Sequence, residues 1–217
     1  MSIFRSIKAV WTSGSGIAQG LTDASADKDP IDLFDDWFED AKKSGLYLPE
    51  AMNLATSTAE GKPSARMVLL KHADQDGFVF YTNYKSRKSG ELIGNPFAAL
   101  LFHWPILQRQ VRVEGAVEKV SREESEAYFH SRARGSQIGA WASDQSSELS
   151  TRSDLKKRVD DFERQFKDQE VPLPDKWGGF RVIPNRIEFW QGRPFRLHDR
   201  LIFEADAQSW KTHRLYP

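Results

Sequence analysis

The stretch Arg186-Ile187-Glu188-Phe189-Trp190-Gln191-Gly192-Arg193-Pro194-Phe195-Arg196-Leu197-His198-Asp199-Arg200 decides how this chain is read. Ile187, Phe189 and Gln191 alternate with Glu188 and Trp190, the period-two pattern of a half-buried strand. Gly192 to Pro194 interrupt that pattern. Arg196 and His198 follow two residues apart, and on a strand this spacing puts both side chains on one face. The stretch holds four arginines, a histidine and a tryptophan in fifteen residues. A cation beside a titratable ring suits a bound anion with proton or redox chemistry next to it. Trp190 is expected to lie against a ring.

Upstream, the period-two pattern recurs in pairs. Strands are predicted over 52–58 and 64–71, joined by the turn Glu60-Gly61-Lys62-Pro63, and over 78–82 after a second turn at 74–77. A further pair is predicted over 97–104 and 108–120. Two closing strands are predicted near 180–191 and 196–204, and a last one near 210–215. Asp29 is a good N-cap and Pro30 a good first helical residue. Phe34, Trp37, Phe38 and Ala41 then form one apolar stripe, and Gly45 ends the helix. Ser86 is expected to cap a short helix. Ser121-Arg122-Glu123-Glu124 reads as a capping box, and a charged helix is expected over 151–167. Residues 135–147 read as a Gly/Ser-rich loop and 171–179 as a Pro/Gly connector. Residues 1–28, rich in Ser, Gly, Ala and Thr, read as a flexible arm before a single domain over 29–217. Consecutive hairpins with few helices predict a mainly β fold, antiparallel strands closed as a barrel with peripheral helices, which hides the strand edges.

Composition removes several function classes. Lys plus Arg and Asp plus Glu both number 31 among 217 residues, so no global field draws the chain to nucleic acid or an acidic membrane. Cysteine is absent, which excludes disulfides, thiolate metal sites and cysteine nucleophiles. No apolar run reaches membrane-span length, and no signal-peptide core follows the first residues. A cytoplasmic protein is expected. Dinucleotide, P-loop and zinc spacings are missing, so no metal role is expected.

Anion binding must therefore come from local clusters. Arg66 and Lys71 bracket an apolar strand, Arg87-Lys88 follow a turn after the next strand, and a helix starting at Ser86 would add its first amides as donors. Cations and amides converging from neighbouring elements suit a phosphate. Tyr128 and Arg132, four apart on a helix, share a face, with Ser136 just beyond. A phenol, a guanidinium and a hydroxyl can receive a second phosphate; an ordinary amphipathic helix end fits these residues as well. His103, between Phe102 and Trp104, reads as a packed or loop histidine.

The Arg186–Arg200 segment resembles the signature of the pyridoxine (pyridoxamine) 5′-phosphate oxidase family. The final Arg214-Leu215-Tyr216-Pro217 resembles that family's ending. Arg66-Met67-Val68-Leu69-Leu70-Lys71, Phe80-Tyr81-Thr82-Asn83, Ser86-Arg87-Lys88 and Arg109-Gln110-Val111 resemble its other motifs, in the family's order. The resemblance spans roughly 29–217. It implies a flavin mononucleotide (FMN)-binding split β-barrel, homodimeric, with two flavins at the subunit interface. It assigns Arg66, Met67, Val68, Leu69, Leu70, Lys71, Tyr81, Thr82, Arg87, Lys88, Gln110, Gln145, Ser146, Trp190 and Arg200 to FMN. It assigns Lys71, Tyr128, Arg132 and Ser136 to the substrate phosphate, and Arg196, Leu197 and His198 to the substrate ring. Arg196 and His198 are the expected catalytic pair, holding C4′ against flavin N5 and assisting loss of a proton.

The implied reaction is oxidation of pyridoxine or pyridoxamine 5′-phosphate by O2 to pyridoxal 5′-phosphate and H2O2. A related flavin oxidase acting on another ring, such as a phenazine precursor, would share the flavin residues. A non-catalytic FMN or pyridoxal-phosphate binding module is the reading from a different class. The arm departs from the family pattern: Lys8-Ala9-Val10-Trp11 is the best counterpart of its Arg-Arg-Glu-Tyr-like run, and Gly16-Ile17-Ala18-Gln19 replaces a basic stretch.

Overall fold

In the computed structural model, which describes residues 20–207 and 209–217, six helices surround nine antiparallel strands. In chain order these are α1 (Asp23–Ala26), α2 (Pro30–Lys43), β1 (Ala51–Ser57), β2 (Pro63–Leu69), β3 (His72–Asp74), β4 (Gly77–Asn83), α3 (Arg87–Gly94), β5 (Phe97–Trp104), β6 (Arg109–Lys119), α4 (Arg122–Ser131), α5 (Arg134–Ala142), α6 (Arg152–Gln165), β7 (Trp177–Gln191), β8 (Asp199–Asp206) and β9 (Ser209–Arg214). The sheet order is β2-β1-β5-β6-β7-β4-β3, with β8 and β9 continuing from β7. The strands β2 and β3 end that order at opposite sides yet adjoin in the chain. The sheet therefore curls: the Leu70 N–H still donates to the Glu50 carbonyl beside β1, and the next residue, Lys71, donates to the Val79 carbonyl of β4, both at 2.9 Å.

The long strand β7 serves two partners. Its first half pairs with β4, from Phe78 opposite Val182 to Asn83 opposite Trp177. Its second half pairs with β8, from Arg186 opposite Glu204 to Gln191 opposite Asp199. The change of partner coincides with an irregularity in β6 between Glu114 and Gly115. A Cβ at Gly115 would lie 1.9 Å from the Ile183 carbonyl oxygen, so only glycine permits the strands to approach there.

The expected stripe on α2 faces the barrel. Asp29 caps the helix by accepting the Ile31 N–H at 2.8 Å. Phe34 meets Phe78 and Phe102 edge-on at 4.9 and 5.0 Å, and Trp37 meets Phe189 at 5.2 Å. A second apolar cluster lies outside the barrel, where Phe129, Ile138, Phe166, Val171, Leu173 and Trp177 join α4, α5 and α6 to the start of β7.

Three sequence expectations are corrected. The segment 135–147 is not simply a loop, because α5 occupies its first half. Ile138 is 1% exposed, and the Gln137 amide donates to the carbonyls of Phe129, His130 and Arg132 at 3.3, 3.3 and 2.9 Å. One glutamine thus satisfies the open carbonyls at the end of α4, a role that composition does not reveal. The strand expected from residue 196 starts instead at Asp199. Pro194–Arg196 form a 3₁₀ turn in which Phe195 and Arg196 have φ of 57° and 63°. Pro194 has no N–H for a ladder, and the left-handed residues after it take Arg196 and His198 off the shared strand face inferred from their spacing.

The third correction concerns the arm expected over 1–28, since the chain is packed from Leu21 onward. Leu21 is 6% exposed, its N–H donates to Asp199 at 3.4 Å and its carbonyl accepts from Arg214 at 3.0 Å. The Thr212 hydroxyl donates to the Ala26 carbonyl at 3.2 Å. These bonds to β8 and β9 anchor a stretch that lacks an apolar stripe of its own. Residues 1–19, with Lys8 and Trp11, lie outside the described residues.

Candidate functional site

A cavity of about 680 Å³ opens between β2, β4, the start of α3 and the α4–α5 corner. Met67, Val68, Leu69, Lys71, Tyr81, Thr82, Lys88 and Gln145 line one part of it, and Tyr128, Arg132 and Ser136 another. The two groups read as separate phosphate receptors in the sequence thus share one space. Strand alternation accounts for part of this: Leu70 is 5% exposed and turned into the core, whereas Met67 is 62% exposed. The loop after α5 contributes Gln145, and Ser146 does not line the cavity.

Lys88 dominates one end. It is 7% exposed, and its ammonium donates at 3.2 Å to each of Thr82 Oγ1, Ser86 Oγ and Gln145 Oε1. All three partners are uncharged. Burial, and then the nearby Arg66 charge, pull its pKa below the ordinary lysine value. A buried ammonium held by neutral oxygens at a cavity wall is an anion receptor in waiting. Its neighbours Arg66 and Arg87 do not line the cavity, and both pair with the buried Glu91 at 2.9 and 2.8 Å.

At the other end, Arg132 lies over Trp177 with 4.6 Å from guanidinium carbon to ring centroid. Its Nη2 donates to the Ser136 carbonyl at 3.0 Å. Its Nη1 is buried without a hydrogen-bond partner among the described residues. Burial lowers its pKa from the ordinary arginine value. An unpaired guanidinium N–H is costly unless a ligand oxygen completes it. Tyr81, Tyr128 and Trp177 stack beside it, Tyr81 to Tyr128 at 4.0 Å and Tyr81 to Trp177 at 5.4 Å. The Tyr81 hydroxyl donates to Glu124 at 3.4 Å. Burial first, and then the Glu124 charge, raise its pKa well above the phenol value, so it remains protonated.

The remaining expected residues are elsewhere on the chain. Gln110, Trp190 and Arg200 line a second, smaller cavity of about 230 Å³ with Arg112, Glu188 and Pro217. There Glu188, 3% exposed, pairs with Arg200 at 2.7 Å and Arg112 at 3.2 Å. Arg200 also donates to the Tyr216 carbonyl at 3.1 Å, which places the chain's last residues at this cavity. The Trp190 ring centroid is 4.6 Å from that of His198. His198 Nδ1 accepts the Arg193 N–H at 3.1 Å. Arg196 and Leu197 are exposed and line neither cavity.

Sequence reasoning missed several lining residues: Asn83, Ala133, Gly139, Ala140, Ser143 and Trp177. Asn83 stands at the end of a quoted motif and Trp177 falls within the connector expected over 171–179, so both carried a signal. The four others became visible only with α5. Glu91 and Glu188 gave none, because a lone glutamate in a polar pattern reads as solvated.

Residues 38–166 match the family model described as pyridoxamine 5′-phosphate oxidase. Residues 177–217 match one described as the pyridoxine 5′-phosphate oxidase C-terminal dimerisation region. A protein of Colwellia psychrerythraea named pyridoxine/pyridoxamine 5′-phosphate oxidase is 54% identical over 217 residues, all of both chains. One of the same name from Rubrobacter xylanophilus is 56% identical over 198 residues, 91% of each chain. The crystal structure of PhzG from Burkholderia lata, in complex with tetrahydrophenazine-1-carboxylic acid, superposes with a TM-score of 0.83 at 31% identity, covering 87% of this chain and 93% of that one. A pyridoxamine 5′-phosphate oxidase-related, FMN-binding protein of Nostoc punctiforme superposes with a TM-score of 0.69 at 14% identity, covering 88% and 100%, a likeness of fold.

Proposed function

This chain belongs to the pyridoxine/pyridoxamine 5′-phosphate oxidase family, and we propose that it uses FMN and O2 to oxidise pyridoxine or pyridoxamine 5′-phosphate. Pyridoxine phosphate and O2 give pyridoxal phosphate and H2O2. Pyridoxamine phosphate consumes a water as well and releases ammonia. Bound FMN would accept the hydride from C4′ and pass the electrons to O2.

The observation that carries this reading is that one cavity holds two anion receptors, the buried Lys88 ammonium and the unpaired Arg132 Nη1. Two phosphorylated molecules, cofactor and substrate, need two such receptors. Lys88, with Thr82 and Gln145 fixing its ammonium, would hold the FMN phosphate end. Met67, Val68 and Leu69 supply apolar wall for a flavin. Tyr128, Arg132 and Ser136 would take the substrate phosphate, with Lys71 between the two. Each charge-assisted bond contributes roughly 1.5–3 kcal/mol.

Gln110, Trp190, Arg200, Arg196, Leu197 and His198 lie away from that cavity in the same chain, and 177–217 match a dimerisation region. We assign them to the site of a partner subunit in a homodimer, completing the cavity across a two-fold axis. A neutral His198 that accepts at Nδ1 carries its proton on Nε2. It therefore enters the site as a donor that orients the substrate, with Arg196 beside it. Excluding water and fixing the C4′ carbon is the protein's contribution to the rate.

A phenazine precursor such as the ligand of the Burkholderia lata protein carries one carboxylate and no phosphate, so it engages fewer of the donors of Tyr128, Arg132 and Ser136 than a phosphate ester does. The test follows turnover by absorbance: aldehyde formation from pyridoxine 5′-phosphate and pyridoxamine 5′-phosphate, and ring dehydrogenation of a reduced phenazine carboxylate. Turnover of either vitamin ester, with FMN bound, is expected. Turnover of the phenazine alone, or no turnover of any of the three, contradicts the proposal.

A further inference from the structure

Glu91, on α3, is a buried carboxylate that the proposed reaction does not use. Its side chain is 5% exposed, and both oxygens are engaged. Oε2 accepts from Arg66 Nη2 at 2.9 Å and from Thr56 Oγ1 at 2.5 Å, and Oε1 accepts from Arg87 Nε at 2.8 Å. The Thr56 hydroxyl also receives Arg66 Nη1. Thr56 comes from β1, Arg66 from β2 and Arg87 from the first turn of α3, so one carboxylate ties three elements together. Burial alone would raise the Glu91 carboxyl, but the bonds from Thr56, Arg87 and Arg66 outweigh it and keep the group ionised.

This knot lies directly behind Lys88, the ammonium that lines the cavity. Without Glu91, the mostly buried charges of Arg66 and Lys88 would repel each other, and the exposed Arg87 would add to that repulsion. With it, the cluster carries three positive charges and one negative, a net of two. That matches the two negative charges of a phosphate monoester dianion. Both guanidiniums are also oriented before any anion arrives, which lowers the cost of ordering them on binding.

We propose that Glu91 is a positioning residue for the phosphate end of the flavin: it presets Arg66 and Arg87 beside Lys88, and so makes the chain select phosphorylated flavin over riboflavin. The proposal rests on the FMN reading above, and its test separates the two. Full-length protein stripped of flavin is titrated with FMN and with riboflavin, and binding is read from quenching of flavin fluorescence. Wild type that binds neither flavin, or binds both alike, removes the FMN reading itself.

Given wild-type preference for FMN, Glu91→Gln should weaken FMN binding by about tenfold or more, as loss of an outer-shell partner does. Riboflavin affinity should change by less than about twofold, since riboflavin has no phosphate to be misplaced. Arg87→Ala combined with Glu91→Gln should lose less FMN affinity than the product of the single losses, because the two act on the same contact. Should Glu91→Gln not fold, Thr56→Val removes the hydroxyl linking Arg66 to Glu91 but leaves the carboxylate. It should show the same selective loss to a smaller extent. Equal losses for FMN and riboflavin in the variant that folds, or FMN binding unchanged or tighter, overturns the proposal.

Discussion

Tyr81 of β4 and Tyr128 of α4 lie face to face, their ring centroids 4.0 Å apart and their planes 19° from parallel. The stack joins a barrel strand to the helix that carries Arg132, so the two ends of the large cavity share one support. Replacing Tyr128 by Ala should cost roughly 0.5–1.5 kcal/mol of stacking beyond the lost area and raise KM for the phosphorylated substrate. Tyr128→Phe should keep the melting temperature near wild type and raise KM alone. Thermal melts beside steady-state kinetics separate the ring from the hydroxyl.

Lys88→Met should abolish retention of FMN through purification while the fold survives, because the ammonium has no carboxylate that would be left unpaired among its hydrogen-bond partners. The direction of its pKa shift adds a pH dependence. Burial disfavours the charged form, so in the flavin-free protein Lys88 loses its proton below the ordinary value of 10.5. Anion binding falls as that proton leaves. FMN affinity measured from pH 7 upward should therefore decline before ordinary lysines titrate, and Lys88→Arg should move the decline to higher pH.

Arg132→Ala should raise KM for the vitamin phosphates by about tenfold to a hundredfold, the worth of one or two charge-assisted bonds. FMN affinity should stay near wild type, since Arg132 and Lys88 share no hydrogen-bond partner. Equal loss of FMN in this variant would show that the two receptors are not separate.

Asp144 anchors the loop that delivers Gln145. It pairs with Lys176 at 2.5 Å and Arg158 at 2.7 Å. The Lys176 bond is the largest influence and holds its carboxyl below the ordinary aspartate value of 3.8; burial opposes it, and the Arg158 bond adds to the lowering. A depressed carboxyl stabilises the fold at pH above 3.8, and that contribution is lost as pH falls through the folded value. Asp144→Asn should lower stability at pH 7 by no more than about 1 kcal/mol, as the group is largely solvated. The difference from wild type should vanish in acid. Denaturant unfolding at pH 7 and below pH 4 checks both limits.

Much of the scaffold was legible because it rests on periodicity. The alternation from Ile187 to Gln191 and the stripe of Phe34, Trp37 and Ala41 place residues by spacing, and burial follows that spacing except at Glu188, which is 3% exposed. The turn at Pro194–Arg196 was not legible, since Phe195 and Arg196 adopt left-handed backbone that their side chains disfavour. The α5 helix was hidden by its glycines and serine, and Gln137 and Ile138 secure it through tertiary contacts. Of the candidate site, the phosphate receptors were read as clusters, but only the curled sheet brings Met67 and Lys88 to the same cavity as Arg132. Glu91 and Glu188 escaped notice because nothing in a sequence distinguishes a glutamate beneath two arginines from one in water.

The central claim is that the Lys88–Arg132 cavity of one subunit is completed by Arg196 and His198 of its partner. Lys88→Met and Arg196→Ala homodimers should each have little activity. Differently tagged copies of the two variants, co-expressed and purified as heterodimers, place both changes in one site and leave the other intact. Turnover of pyridoxine 5′-phosphate by that heterodimer should recover to about half the wild-type rate, one site of two. A heterodimer as inactive as its parents would contradict a site shared between subunits.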